Sequence, residues 1–287
     1  MKEASRVLLT GGHGFTGRHL ACVLASAGHV PIPLRSDLTA RRDVLEEVAS
    51  IKPQYVIHLG GISFAGGPYS SKIYDVNVAG TLNLLDALVE SGRRPDRVLL
   101  ASSASIYGNQ ETGIYSEALC PKPISHYGNS KLAMENMAQS YRDQLDIFVL
   151  RPFNYTGVGQ SPEFVVPKLV AAFRHRKTSL RLGNLNVIRE FNDVRDICRL
   201  YVRLLSASAT SHPLNICSGR GIRLSDIIDD LGSRFSCSVS LAIDEDLVRK
   251  GEKEVIVGDP TRLNSLIEFN WEHSIGDTLE WFASVNI

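Results

Sequence analysis

The chain has 287 residues, with 31 Lys+Arg balanced by 31 Asp+Glu and a formal net charge of zero when histidine is neutral. That length can bury a full core and suits one or two domains. Balanced charge without a long single-sign run argues against nucleic acid or an anionic membrane as partner, and no apolar run nears the ~18 residues of a membrane span.

Met1-Lys2-Glu3-Ala4-Ser5 leads straight into a strand-like run, not into a signal peptide. Cys22, Cys120, Cys198, Cys217 and Cys237 are odd in number and scattered, with no C-x-x-C and no metal spacing. They read as reduced packing residues of a cytoplasmic protein, and no metal site is expected.

Arg6-Val7-Leu8-Leu9-Thr10 is a short apolar run that predicts a buried strand. Gly11-Gly12-His13-Gly14-Phe15-Thr16-Gly17 follows at once. Leu20, Val23, Leu24 and Ala27 then recur at i, i+3, i+4 and i+7, the spacing of one helix face, and Gly28-His29 ends that helix. Strand, glycine turn and helix in this order suit a dinucleotide. Gly11, Gly14 and Gly17 allow a sharp turn and close approach to a pyrophosphate, and the helix N-terminus supplies N–H groups for it. Phe15 and Thr16 belong to the same expected cofactor contact. A plain tight turn is the other reading of the glycines.

The next strand, Val30 to Leu34, ends at Arg35. An acid here would favour the ribose hydroxyls of NAD, whereas a cation suits the 2′-phosphate of NADP, so Arg35 points to NADP(H). A solvated arginine at a strand end is the alternative. Asp37 and Leu38, directly after, are placed beside the adenine. Val44 to Ile51 predicts a helix stopped before Pro53. Tyr55 to Leu59 predicts a buried strand, with Leu59 and Gly60 passing close to the cofactor. His58 inside this run reads as a satisfied core histidine before it reads as a catalyst. Leu82, Leu85, Leu88 and Val89 mark a helix. Asn77 at its start caps it or ties two loops together.

Arg97 to Ala101 predicts another strand, followed by Ser102-Ser103-Ala104-Ser105-Ile106-Tyr107-Gly108. In a parallel sheet ligands bind beyond the carboxyl ends of the strands, which puts Ser103 within reach of a reacting oxygen; serines in loops also serve as plain turn formers. Tyr127 and Lys131 are i and i+4 on a predicted helix and share one face. An ammonium beside a phenol favours the phenolate and makes the phenol a better acid or base near neutrality. Taken alone, the pair also fits a surface tyrosine and a solvated lysine. Met134, Met137, Tyr141 and Leu145 give this helix an apolar stripe, for packing or for a dimer seam.

Gly11-x-x-Gly14-x-x-Gly17, Ser102-Ser103 with Tyr107-Gly108, and Tyr127-x-x-x-Lys131 stand in the order and spacing of the extended short-chain dehydrogenase/reductases, which act largely on nucleotide sugars. The chain resembles that family over essentially its whole length. Arg151-Pro152-Phe153-Asn154-Tyr155-Thr156-Gly157, Gly183-Asn184-Leu185, Arg189 to Asp196, Asn215 to Gly219 and Gly258 to Leu263 are similar to the branch of GDP-mannose dehydratases and GDP-4-keto-6-deoxymannose reductases.

The resemblance implies Tyr127 as general acid, Lys131 as the group that lowers its pKa and holds the nicotinamide ribose, and Ser103 as support for the substrate oxygen. It places Pro152 by the nicotinamide, Asn154 at the substrate, and Arg189 at the sugar-nucleotide diphosphate, where a guanidinium offers paired donors. Arg249 and Arg262 are weaker candidates for that work, and Lys168 approaches the nucleotide. Dehydratases of the family carry an acid two residues beyond the catalytic Ser/Thr. Ser105 stands there, which argues against water elimination and also departs from reductases that keep the acid.

The expectation is an α/β protein. Residues 1–150 form a Rossmann-like doubly wound parallel sheet that binds NADP(H), and residues 151–287 form a smaller nucleotide-sugar region, with crossings between the two. The expected activity is NADPH-dependent reduction of the 4-keto group of a nucleotide-linked 4-keto-6-deoxy sugar, in a homodimer. A nucleotide-sugar 4-epimerase with tightly held cofactor, and a non-catalytic sensor on the same fold, are the other readings.

Overall fold

The computed structural model describes residues 4–63, 71–210, 212–244 and 251–285. Six parallel strands form the central sheet. Four come from residues 6–101: β1 (Arg6–Thr10), β2 (Val30–Pro33), β3 (Tyr55–His58) and β4 (Arg97–Ala101). The sheet runs, from one edge, Leu214–Ile216, Ile147–Pro152, β4, β3, β1, β2. Val7, Leu8, Leu9, Val56, Ile57, Leu99 and Leu100 are fully buried, as expected for strands covered on both faces.

Because all six strands are parallel, their carboxyl ends lie on one edge. Gly11, Leu34-Arg35, Leu59-Gly60, Ser102-Ser103 and Phe153-Asn154 follow those ends directly. The connections from β1 and β3 diverge to opposite sides of the sheet, which makes the gap between them the ligand crevice of such folds.

Helix α1 (Phe15–Ser26) buries Leu20 and Leu24 and packs with the helix Val194–Leu204 on one face. Helix α2 (Arg41–Ile51) buries Val44 and Val48 and packs with Gly80–Glu90 on the other face, where His126–Ala138 joins them. α2 ends at Lys52 in the left-handed conformation, just before Pro53 removes the next N–H. Met134 and Leu145 of the expected stripe are buried in this chain's own core. The stripe therefore packs the sheet, and Leu82 is the large apolar residue that Gly80–Glu90 leaves exposed.

Residues beyond 150 return to the sheet, through Val194–Leu204 on α1 and Leu214–Ile216 at its edge. A separate apolar cluster gathers the helices Val165–Arg174, Leu224–Phe235 and Ile275–Ser284 around Phe173, Leu231 and Phe282. A small sheet of Ile222–Arg223, Ile188–Arg189, Val255–Gly258 and Ile114–Tyr115 links that region to the loop after β4. Among the described residues no helix is long and apolar enough to cross a membrane.

Candidate active site

The glycine turn is built as its sequence requires. Gly11 has φ of +67°, a conformation that a side chain resists, and a Cβ there would sit 3.0 Å from Gly60 N. The turns after β1 and β3 thus touch backbone to backbone. At Gly17 a Cβ would lie 2.3 Å from Gly11 O, so helix and turn pack with no room for a side chain. Gly14 starts α1 with no capping side chain, and no acid lies in the first turn. The first N–H groups of α1 are left for an anion, which fits a dinucleotide pyrophosphate.

Around this turn, Phe15 stacks on Tyr155 at 6.2 Å, and Thr16 Oγ1 shares a hydrogen bond of 2.8 Å with the Tyr155 hydroxyl. Tyr155 therefore joins α1 to the segment after Pro152, a link that its sequence context did not signal. Pro152 ends its strand half-buried, and Asn154 is exposed, with its carbonyl accepting from Asn192 N at 3.0 Å.

Beyond β2, Arg35 is exposed and Leu38 is buried beneath Gly60, where a Cβ would meet Leu38 Cδ1 at 2.6 Å. Asp37 accepts from Thr39 N and Thr39 Oγ1 at 2.9 and 2.8 Å, which holds its carboxyl below the usual range. Leu59 is half-buried against the core on the α1 side.

Under the loop after β3 lies a continuous hydrogen-bond chain. Gly60 N donates to Thr10 Oγ1 at 2.8 Å, and Thr10 Oγ1 meets His58 Nδ1 at 2.6 Å. His58 Nε2 meets Thr81 Oγ1 at 2.8 Å, and Thr81 donates to the Asn77 carbonyl at 2.6 Å. Thr81 gives its one proton to the Asn77 carbonyl, so it accepts from His58 Nε2–H, and in the neutral ring Nδ1 is left to accept from Thr10. Burial, with the Lys131 charge nearby, drives its pKa from 6.5 down to about 3. His58 is a satisfied core histidine. The Asn77 side chain accepts from Ile62 N at 2.8 Å and donates to Ser130 Oγ at 3.0 Å, tying that loop to the helix of Tyr127.

Ser125 caps that helix, His126–Ala138, by accepting from Gly128 N. Tyr127 and Lys131 do share a face, with Nζ 5.9 Å from the centre of the Tyr127 ring. Lys131 is buried and donates to the Ala101 carbonyl at 2.7 Å. Burial lowers its pKa from 10.5 to about 8, against the Glu135 charge that raises it. Burial also pushes the Tyr127 phenol above its usual value, opposed by a hydrogen bond with Ser103. Burial outweighs any depression of the Tyr127 phenol by Lys131, whose ammonium donates to the Ala101 carbonyl. Ser103 is buried, and its hydroxyl accepts from Ser105 N at 3.1 Å at the start of a short turn. Ser103, Tyr127 and Lys131 thus converge beyond β4. A phenol protonated at neutral pH can donate a proton to an oxygen held by Ser103.

Sequence reading missed the scaffold behind them. Glu135, one turn after Lys131, pairs with Arg151 at 2.7 Å and accepts from Ser102 Oγ. Arg151 donates to the Tyr107 hydroxyl at 3.0 Å, which donates to Asn215 Oδ1 at 2.7 Å. The i+4 spacing from Lys131 to Glu135 was the one available signal. Buried Glu190 is a second missed anchor, accepting from Gly258 N at 2.7 Å and Ser218 N at 2.8 Å.

The described cationic residues proposed for the substrate each hold partners within the chain. Arg189 donates to the Ile188, Glu254 and Lys253 carbonyls and pairs with Glu252 at 3.2 Å. Lys168 donates to the Arg181 carbonyl at 3.2 Å, and Arg262 to the Pro213 carbonyl at 3.0 Å. Arg249 lies outside the described residues.

Residues 7–217 match the NAD dependent epimerase/dehydratase family. GDP-6-deoxy-D-talose 4-dehydrogenase of Aggregatibacter actinomycetemcomitans is 35% identical over 267 residues, 91% of each chain. GDP-6-deoxy-D-mannose reductase of Pseudomonas aeruginosa is 30% identical over 294 residues, 97% of this chain and 96% of its own. The structure of RMD from Pseudomonas aeruginosa complexed with NADPH has a TM-score of 0.89 at 29% identity, covering 98% of both chains. With a glycine turn shaped for a dinucleotide and Tyr127, Lys131 and Ser103 gathered beyond β4, the chain belongs to the NAD dependent epimerase/dehydratase family, the extended short-chain dehydrogenase/reductases, and is an NAD(P)-dependent oxidoreductase of that type.

Proposed function

We propose that the protein reduces the 4-keto group of a nucleotide-linked 4-keto-6-deoxy sugar, GDP-4-keto-6-deoxymannose, with NADPH. When bound, the reduced nicotinamide supplies a hydride to C4. Tyr127 donates its proton to the oxygen that gains charge at that carbon, so ketone, hydride and proton give the alcohol. Ser103 steadies that oxygen, and Lys131 holds the nicotinamide ribose. The cofactor lies against Gly11, Gly14, Phe15, Thr16, Gly17, Arg35, Asp37, Leu38, Leu59, Gly60 and Pro152. Asn154, Lys168, Arg189 and Arg249 serve the sugar nucleotide. Arg189 reaches the diphosphate by exchanging Glu252 and backbone carbonyls for phosphate oxygens.

The observation that carries this reading is the burial-raised phenol of Tyr127 beside Ser103, with Ala104 and Ser105 following and no carboxylate among them. That set supplies a proton and lacks the acid at position 105 that pulls a ring proton in the family's dehydratases, so it argues against elimination; related reductases that keep an acid there differ from this chain at the same position. GDP-sugar substrates are supported by the relatives acting on GDP-6-deoxytalose and GDP-6-deoxymannose. NADPH is supported by Arg35 at the end of β2 and by the RMD complex. The active form is a homodimer built on the helices Gly80–Glu90 and His126–Ala138.

The test is incubation with NADPH and freshly made GDP-4-keto-6-deoxymannose, followed by NMR of the product. Stoichiometric NADPH oxidation and a GDP-6-deoxyhexose are expected, and the coupling constants give the C4 configuration. A change of configuration in a nucleotide sugar without net NADPH oxidation would instead establish a 4-epimerase.

A further inference from the structure

The end of β2 already holds an anion of the protein's own. Glu47 of α2 reaches it with both carboxylate oxygens. Arg35 N donates to Oε1 at 3.0 Å and to Oε2 at 3.2 Å. Ser36 N donates to Oε2 at 2.8 Å, and Ser36 Oγ donates to the same oxygen at 2.6 Å. Two successive backbone N–H groups and a hydroxyl, with an arginine beside them, make an anion-binding concavity of the kind that takes phosphates. Burial of Glu47 raises its pKa, but the hydrogen bonds from Ser36 and Arg35 and the Arg35 charge outweigh it, so the carboxyl stays below its usual range and charged at neutral pH.

This place is where cofactor choice is made in such folds, because the adenosine ribose lies at the end of the second strand. We propose that Glu47 is a specificity-determining residue: its carboxylate occupies the donor set that a 2′-phosphate would use, so NADPH must displace it while NADH does not. The proposal rests on the cofactor reading above. Arg35 and Glu47 act in opposition. The guanidinium draws a phosphate in, and the carboxylate repels it and holds the N–H groups it needs. Discrimination between the two cofactors then reflects this pair and not Arg35 alone.

Calorimetric titration of the full chain with NADPH, NADH, 2′,5′-ADP and 5′-ADP tests this. Glu47→Gln keeps the shape and removes the charge. It should tighten NADPH and 2′,5′-ADP by about five- to tenfold at low ionic strength, with less gain in high salt. NADH and 5′-ADP should change less than about twofold. Glu47→Ala should act in the same direction and guards against a poorly folded glutamine variant, with thermal midpoints checked for both. Arg35→Ala leaves Glu47 in place and should weaken the 2′-phosphorylated ligands alone. Unchanged or weaker NADPH binding in both Glu47 variants would overturn the proposal while leaving the cofactor reading intact. Loss of NADH affinity with NADPH unchanged would also overturn it, by making Glu47 a ligand of the ribose hydroxyls. If the parent protein binds none of the four ligands, the cofactor reading itself fails, and the proposal with it.

Discussion

Lys131 Nζ donates to the carbonyl of Ala101 at 2.7 Å, so the last residue of β4 fixes the lysine that follows Tyr127 by one helical turn. The strand and the helix are thereby locked together at the point where Ser103 leaves the sheet. A Cβ on Gly61 would lie 3.4 Å from the same Nζ, so the loop after β3 passes directly over it. Lys131 is a structural tie between three segments as well as a candidate cofactor ligand, and its loss should be felt in more than one measurement.

Tyr127→Phe keeps the ring and removes the proton. If Tyr127 is the acid, kcat should fall about 10²–10⁴-fold, the range of general acid catalysis, while cofactor affinity hardly moves. Lys131→Ala should lower kcat, weaken the cofactor and lower the thermal midpoint together, because the Ala101 carbonyl loses its donor. Steady-state kinetics with cofactor titrations separates the two variants. A Tyr127→Phe protein that reduces the keto sugar near the parent rate would remove Tyr127 from the chemistry.

His58 gives a pH dependence whose sign is fixed. Its pKa falls from 6.5 to about 3 on folding, because burial and Lys131 disfavour the imidazolium. Between those values the unfolded chain binds more protons than the folded one. The stabilisation is therefore present above pH 6.5 and is lost as pH falls toward about 3. One proton is worth roughly 1.4 kcal/mol per pH unit. Urea unfolding at several pH values should show the parent losing stability more steeply than His58→Gln over this interval. Parallel slopes for the two proteins would mean that His58 charges without penalty.

The parts of the site that the sequence disclosed are local ones. The glycine turn and its helix are seven consecutive residues followed by a stripe, and Tyr127 with Lys131 are one turn apart. Asn77 and His58 were also legible, since a polar residue inside an apolar run must find buried partners. The remainder depends on distant pairing. Glu47 matters because α2 packs beside the end of β2, and nothing in its own neighbourhood signals that. The set of Glu135, Arg151, Tyr107 and Asn215 joins residues up to 108 apart in sequence. Arg189 was legible as a cation suited to a diphosphate, whereas the partners it holds near residue 253 are set by the small sheet, more than sixty positions away, and were not. The apolar stripe of Met134 and Leu145 could serve a dimer or the core equally well, and only the packing of the sheet decides between them.

For the proposed dimer, Leu82 is the informative position. It is 37% exposed on Gly80–Glu90, whereas Leu84, Leu85 and Leu88 are fully buried. Leu82→Arg puts a charge on the outer face without touching the core. Light scattering at micromolar concentration should give a dimer mass for the parent and a monomer mass for the variant, with similar circular dichroism. A monomeric parent would contradict the assembly.

The buried pair of Glu135 and Arg151 yields the sharpest stability prediction. Both side chains are less than 10% exposed and meet at 2.7 Å, and each has a further partner, Ser102 for the acid and Tyr107 for the base. Arg151→Met removes one charge and strands the other in the interior, which costs about 3–5 kcal/mol in comparable pairs. Replacing both residues with methionine leaves neither charge of the pair unpaired; the Ser102 and Tyr107 hydroxyls lose partners, and Lys131 loses the Glu135 charge near it. The double variant should therefore be more stable than Arg151→Met, although it carries one more substitution. Urea unfolding of the parent, both single variants and the double variant closes the cycle, and a coupling energy near zero would show that the two residues do not depend on each other. Ser102 precedes Ser103, and Glu135 follows Lys131 by one turn, so Arg151→Met should also lower kcat even at temperatures where the variant remains fully folded. Full activity in a folded Arg151→Met protein would confine the pair to stability and remove it from the positioning of Ser103.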